Sequence, residues 1–168
     1  MAQPAPEITS REVSWPFTIN SHEYTIHGTV TEPALQSNPK AAVVLVCGGG
    51  PTDRDWCSPT LPGSNGSGRL MAETLARQGY VTLRCEKLAF RLLTSRVTEE
   101  EKGAKVTLES SWGEIAGAAE LIRREYGAGR ENALKIFAMG NSEGTVHVVN
   151  YQLEAVREVR SCAIGYDL

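Results

Sequence analysis

Gly140-Asn141-Ser142-Glu143-Gly144 is the segment of this chain whose residue types and spacing are best suited to covalent chemistry. A serine on a sharp turn between two glycines presents its hydroxyl at a strained tip, where it can attack an electrophilic carbonyl carbon. The glycines serve that turn. Where a strand passes abruptly into a helix, backbone approaches backbone, and a side chain at either flank would clash. The flanking sequence meets the same requirement. Leu134-Lys135-Ile136-Phe137-Ala138-Met139 reads as a strand before the turn. An amphipathic helix is expected from about Ser142 to Glu158, with Val146, Val149, Leu153 and Val156 facing inward. The competing reading of the pentapeptide is a glycine-rich turn with a serine helix cap.

Acyl transfer through a serine develops negative charge on the carbonyl oxygen, so preorganised N–H donors must stand nearby. The loop that could supply them is Cys47-Gly48-Gly49-Gly50-Pro51-Thr52-Asp53-Arg54-Asp55-Trp56. One donor is expected from the residue after the serine, Glu143. The other is expected from Gly49 or Gly50, because glycine lets backbone approach a substrate closely. A loop that merely turns the chain is the alternative. Asp53, Arg54, Asp55 and Trp56 are expected to form a self-bonded turn rather than a pocket. A nucleotide-binding reading is poor, since Gly48 to Asp55 has neither a Gly-Lys-Ser/Thr ending nor G-x-G-x-x-G spacing.

Several elements must position these loops. Val13 to Ile19 and Glu23 to Val30 flank a polar turn and predict an antiparallel hairpin. Residues 31–40 carry Pro33, Asn38 and Pro39 and read as a loop. Ala41 to Cys47 is a continuous apolar run, as expected of a strand covered on both faces of a parallel sheet. A helix is predicted from near Gly68 to Gln78, with Leu70, Met71 and Leu75 inward and Gly79 as its stop. Tyr80 to Cys85 is the next strand, and residues 86–105 are polar and poorly periodic. A longer helix is expected from Ser111, where Ser111-Trp112-Gly113-Glu114 has capping-box spacing. Trp112, Ile115, Ala119, Ile122 and Tyr126 would form its apolar face, with Gly127 ending it. A final strand is predicted at Ser161-Cys162-Ala163-Ile164. Alternating strands and helices after a hairpin imply a three-layer α/β domain with a mostly parallel sheet.

Composition narrows the class further. The chain of 168 residues is 41% hydrophobic and 22% charged, with a formal net charge of −3. It lacks the basic footprint of a nucleic-acid binder. No apolar run approaches the ~20 residues of a spanning helix, so no membrane role is expected. The N-terminus has no basic start or apolar stretch, which argues against a secretory leader. Residues 1–10 read as a flexible tail and 11–168 as a single domain. Cys47, Cys57, Cys85 and Cys162 show no metal-ligand spacing. Reduced thiols, a cytoplasmic location, no cofactor and no metal are expected.

Taken together, the chain resembles the α/β-hydrolase superfamily, most of all its serine peptidase and dienelactone-hydrolase-like esterase branches. The resemblance is carried by Val43 to Trp56, Gly79 to Lys87 and Ile136 to His147, and the order of elements agrees from about Val13 onward. It implies a Ser-Asp-His hydrolase acting on an ester, thioester or amide, and the expected substrate is a small carboxylic ester. Two local departures stand out. Cys47-Gly48 occupies the place of the usual His-Gly, and Glu86-Lys87-Leu88-Ala89-Phe90 lacks the glycine of Asp-x-Arg-Gly. The resemblance also implies the chain order serine, acid, histidine. Asp167 is then the candidate acid, against the alternative of a solvated terminal carboxylate. Of the histidines, only His147 follows Ser142. It lies five residues on in the same helix, about 7 Å along the axis, and is expected to point away from the turn. His22 and His27 belong to the first hairpin, at the far edge of the sheet. The expected fold is therefore an α/β-hydrolase sheet with an N-terminal hairpin, truncated after about the sixth strand. Activity is expected to be weak or completed by self-association through the last-strand edge. A non-catalytic binding or interaction module is the alternative.

Overall fold

The computed structural model describes residues 6–19, 22–34, 38–94, 96, 106–127 and 134–164, with side chains as far as residue 153, those of residues 19 and 22 excepted. Strands β1 (Ile8–Ile19) and β2 (His22–Pro33) form the expected antiparallel hairpin. Both are longer than the alternation suggests. β1 takes in Ile8 to Ser10, expected within a tail, and β2 runs into the expected loop as far as Pro33. Ala34 N–H donates to Glu7 O at 3.0 Å, and the Ser10 and Thr31 hydroxyls pair across the strands at 2.9 Å. These bonds hold the polar end of the hairpin together where apolar alternation is missing.

The chain continues through β3 (Ala42–Val46), α1 (Ser67–Arg77), β4 (Val81–Cys85), α2 (Leu88–Leu93), α3 (Leu108–Tyr126), β5 (Ile136–Gly140) and α4 (Glu143–Ile164). The strand order is β1-β2-β4-β3-β5. β3 pairs in parallel with both β4 and β5, and β2 pairs antiparallel with β4, so the sheet is mixed: parallel through β4, β3 and β5, antiparallel where the N-terminal hairpin joins it. The two faces of β3 explain its unbroken apolar run. Val44 and Val46 join the core formed with Ile115, Leu121 and Ile122 of α3, while Val43 and Leu45 pack with Ala72 of α1. Burying each such side chain is worth about 1.5–3 kcal/mol. Helices on both faces complete the expected three layers.

The cap of α3 lies four residues before the expected one. Thr107 caps it: the Thr107 hydroxyl accepts from Ser110 N–H at 3.2 Å, and Ser110 Oγ accepts from Thr107 N–H at 3.0 Å. Glu114, expected to close a box on Ser111, is buried about two turns inside the helix. Ile115, Ala119 and Ile122 lie on the buried face as expected.

Two helices differ in phase from their sequence reading. On α1, Gly68, Ala72 and Ala76 face inward, whereas Leu70 and Met71 are exposed. Gly68 lies against the Trp56 ring, and that contact sets the helix rotation. On α4, Val146, Val149 and Leu153 are each 52% exposed, while Gly144, His147, Val148 and Tyr151 face the core side. Val156 lies beyond the described side chains. Ser161–Ile164, expected as a strand, is the last turn of α4. A four-residue apolar run does not distinguish strand from helix. No proline lies between Glu143 and Ile164, and the one glycine there is Gly144, so nothing interrupts the helix.

Candidate active site

β5 and β3 run in parallel to a common end, where Gly140 pairs with Val46. Asn141 N–H then donates to Val46 O at 3.0 Å, and the chain reverses into α4. Ser142 at this turn has φ 53, one of two non-glycine residues in the left-handed region among those described. Such a conformation stores strain of order 1–3 kcal/mol and persists where the surroundings enforce it. Two bonds enforce it here: Gly144 N–H to Asn141 O at 2.8 Å and Thr145 N–H to Ser142 O at 3.0 Å. The flanking glycines are required by contact. A Cβ on Gly140 would lie 2.3 Å from the Gly144 backbone, and one on Gly144 would lie 2.6 Å from both Val46 O and Cys47 O.

That close approach brings the glycine loop to the serine. A Cβ built on Gly48 would stand 3.2 Å from Ser142 Cβ and 3.8 Å from Ser142 Oγ. The loop is anchored through its carbonyls. Gly48 O accepts from Lys87 Nζ, Gly49 O accepts from Thr52 Oγ1 at 2.7 Å, and Gly50 O accepts from Thr52 N–H at 2.8 Å. With the carbonyls engaged, the N–H groups of Gly49, Gly50 and Glu143 donate to no other group among the described residues. Glu143 N–H is free because it opens a helix. The Glu143 carboxylate folds over the glycine loop: a Cβ on Gly49 would meet Glu143 Oε2 at 1.9 Å.

None of the histidines bonds to the Ser142 hydroxyl among the described residues. His147 is buried, its Nε2 is 3.4 Å from Glu143 Oε1, and its Nδ1 has no partner. Ser142 Oγ bonds to no described residue, and His147, expected to point away from the turn, reaches back one helical turn to Glu143 beside the serine. β2, which carries His22 and His27, is three strands from β5, a separation of roughly 14 Å at ~4.8 Å per strand. Asp167 lies outside the described residues.

Asp53 closes the expected turn on itself, but Arg54 and Asp55 bond outside it, and the three residues line a pocket with Glu12, Arg84 and Glu86 that the sequence reading did not favour. Asp53 Oδ1 accepts from the N–H groups of Asp55 and Cys57 at 2.9 and 2.8 Å. Arg54 ties the loop to the sheet through Glu12, Thr29 and Glu86, the last at 3.2 Å, and Asp55 pairs with Arg84.

Two buried charges were not legible as site residues. Lys87 opens α2 beneath the glycine loop, and Glu114 of α3 accepts from Leu88 N–H at 2.9 Å. Burial pushes the Glu114 carboxyl up to about 7, against the opposing pull of the Leu88 N–H, Lys87 and Arg91. Burial likewise raises the Cys47 thiol to about 11, against the pull of Lys87. The usable signal was a glutamate on the buried stripe that includes Ala118 and Leu121.

Among the described residues no helix is long and apolar enough to cross a membrane, and no group of three His, Cys, Asp or Glu side chains is placed to hold a metal ion. Cys47, Cys57 and Cys85 are free thiols.

The chain matches no protein-family profile and no curated protein. Solved structures do match it. Brefeldin A esterase, a bacterial homologue of human hormone-sensitive lipase, superposes with a TM-score of 0.61 at 19% identity, over 95% of this chain and 39% of that one. The esterase Est22 gives 0.66 at 13% identity, and a bacterial heroin esterase gives 0.59 at 17%. Each of those two is matched over 90% of this chain and 40% of its own. With its strained serine turn set against a glycine loop at the end of parallel β3 and β5, the chain has the α/β-hydrolase fold, of which it spans 39–40% of the length of these three esterases.

Proposed function

We propose that Ser142 is the nucleophile of an ester hydrolase. In this reading Ser142 Oγ bonds to the acyl carbon of a small carboxylic ester as the carbonyl electron pair moves onto oxygen. The N–H groups of Glu143 and of Gly49 or Gly50 receive that oxyanion, and the serine proton passes to a base. The observation that carries the reading is Ser142 at φ 53, held against Gly48 at the common end of β3 and β5. A strained serine in that position is the arrangement a nucleophile turn requires.

No described histidine hydrogen-bonds to Ser142 Oγ, so the chain by itself is expected to turn over slowly, with donors and binding supplying the residual rate. A second copy could contribute His22, His27 or His147. With Ser161–Ile164 helical, the association edge in this reading is β5, which ends the strand order among the described residues and carries no charge between Ile136 and Gly140. Uncharged edges of this kind pair readily with another strand, and a copy of the same edge is always at hand.

A non-catalytic module is the second reading. It is favoured by one observation, the Glu143 carboxylate lying over Gly49 where an oxyanion would sit.

Labelling with a fluorophosphonate probe, together with hydrolysis of a short p-nitrophenyl ester, tests the choice. Label and turnover in the wild type, both lost in Ser142→Ala, support the hydrolase. If neither is seen across a range of protein concentrations, the hydrolase reading fails and the binding module stands.

A further inference from the structure

The glycine loop beside Ser142 rests on a buried cation. Lys87 is 7% exposed, and its ammonium donates to Gly48 O across 39 residues of sequence. No carboxylate lies within ion-pair distance of it among the described residues. Glu114, 4% exposed, is close enough to act on it electrostatically while spending its own hydrogen bond on Leu88 N–H. Burying an ammonium is costly, and a structural strut for a loop would be served as well by a neutral donor.

What distinguishes a cation here is the peptide it touches. Gly48 C=O and Gly49 N–H are the two ends of one amide. A bond to the oxygen draws electron density from the nitrogen and makes the N–H a stronger donor, and a charged donor does so most. Gly49 N–H is unspent among the described residues, and Gly49 lies against the first turn of α4 beside Ser142.

We infer that Lys87 is a positioning residue for the oxyanion site: through Gly48 O it orients the Gly48–Gly49 peptide and strengthens Gly49 N–H toward charge developing at Ser142. This assigns the loop donor to Gly49 and rests on the hydrolase reading of Ser142. Removing a whole oxyanion donor slows acyl transfer roughly 10²–10³-fold. A hydrogen bond that strengthens its neighbour by about 10–30% is then worth about a 2- to 8-fold change in rate.

The test uses the full chain labelled with [15N]glycine, comparing wild type, Lys87→Met and Lys87→Arg. In Lys87→Met the Gly49 amide proton should move upfield while those of Gly140 and Gly144 stay in place, and Lys87→Arg should restore it. Phosphonate labelling of Ser142 should slow about 2- to 8-fold in the Met variant, with saturation by the probe unchanged. A purely structural strut would lower the melting temperature without this selective shift. If the Met variant does not fold, Lys87→Gln, which keeps a neutral donor, gives the same comparison. An unmoved Gly49 amide in either folded variant overturns the inference. Should wild-type Ser142 never react with the probe, the hydrolase reading fails on its own, and the Gly49 shift still decides whether Lys87 polarises the loop.

Discussion

Replacing Gly144 by alanine tests whether the serine turn is held by backbone contact. In a helix, alanine is favoured over glycine by roughly 0.5–1 kcal/mol, so without an obstacle the change would stabilise the chain. The structure places two obstacles. The new Cβ would lie 2.6 Å from Val46 O and from Cys47 O, where ordinary van der Waals contact begins at 3.4 Å. Neither oxygen can swing aside as a side chain does, and Val46 O already accepts from Asn141 N–H. α4 must therefore back away from β3. Overpacking of this kind costs about 1–3 kcal/mol, and a backbone clash belongs at the upper end. Set against the propensity gain, the net loss should be about 2 kcal/mol, or roughly 4–8 °C in melting temperature for a domain of this size. Urea and thermal unfolding of Gly144→Ala, beside the exposed neighbour variant Thr145→Ala, measure it. Thr145→Ala should stay within ~0.5 kcal/mol of wild type. Phosphonate labelling of Ser142 should fall with Gly144→Ala, because the serine moves away from the glycine loop. A Gly144→Ala protein as stable as wild type, or more so, would refute the contact argument, since the sign alone separates clash from propensity.

Three further outcomes follow from burial and phase. Glu114, at about 7 in the folded chain, keeps a proton that the unfolded chain releases near 4.5. Stability should therefore fall as pH rises from about 4.5 to 7 and level off above, a loss of roughly 3 kcal/mol at 1.36 kcal/mol per unit. Glu114→Gln should remove that slope in urea titrations across the range, and an unchanged slope would show that Glu114 ionises freely. On α4, Val149→Ala should leave the stability of dilute protein within ~0.5 kcal/mol, whereas Tyr151→Ala, which strips a side chain packed on the core, should cost about 1–3 kcal/mol; the reverse order would restore the phase expected from the valine stripe. Cys57, half-buried, should react with a thiol reagent well before Cys47 and Cys85, whose burial raises their pKa. Peptide mass mapping after brief alkylation would read the order, and early modification of Cys47 would contradict the packing beneath the glycine loop.

What the sequence made legible and what it hid divide along one physical line. The strained serine turn could be read because its requirement is local: a residue in the left-handed region, flanked by glycines, between an apolar strand and a helix. The glycine loop could be read for the same reason, and so could β3, whose unbroken apolar run matches a strand covered on both faces. Helix phase was misread because the contact that sets it lies elsewhere in the chain. On α4 the valine stripe at Val146, Val149 and Leu153 looked inward by hydrophobicity, yet Gly144 must face Val46 O and Cys47 O. Once Gly144 is placed against β3, its three-, four- and seven-residue neighbours His147, Val148 and Tyr151 turn inward with it. The same logic rotates α1, where Gly68 meets Trp56 and brings Ala72 and Ala76 into the core instead of Leu70 and Met71. Close contact at a glycine therefore goes with both rotations, against backbone on α4 and against the Trp56 ring on α1, and a glycine at a helix start is the better guide to phase when both signals are present. The exposed valines that result are a consequence of building so tight a strand-to-helix turn, because a helix whose first turn must touch a strand cannot also choose the face it buries.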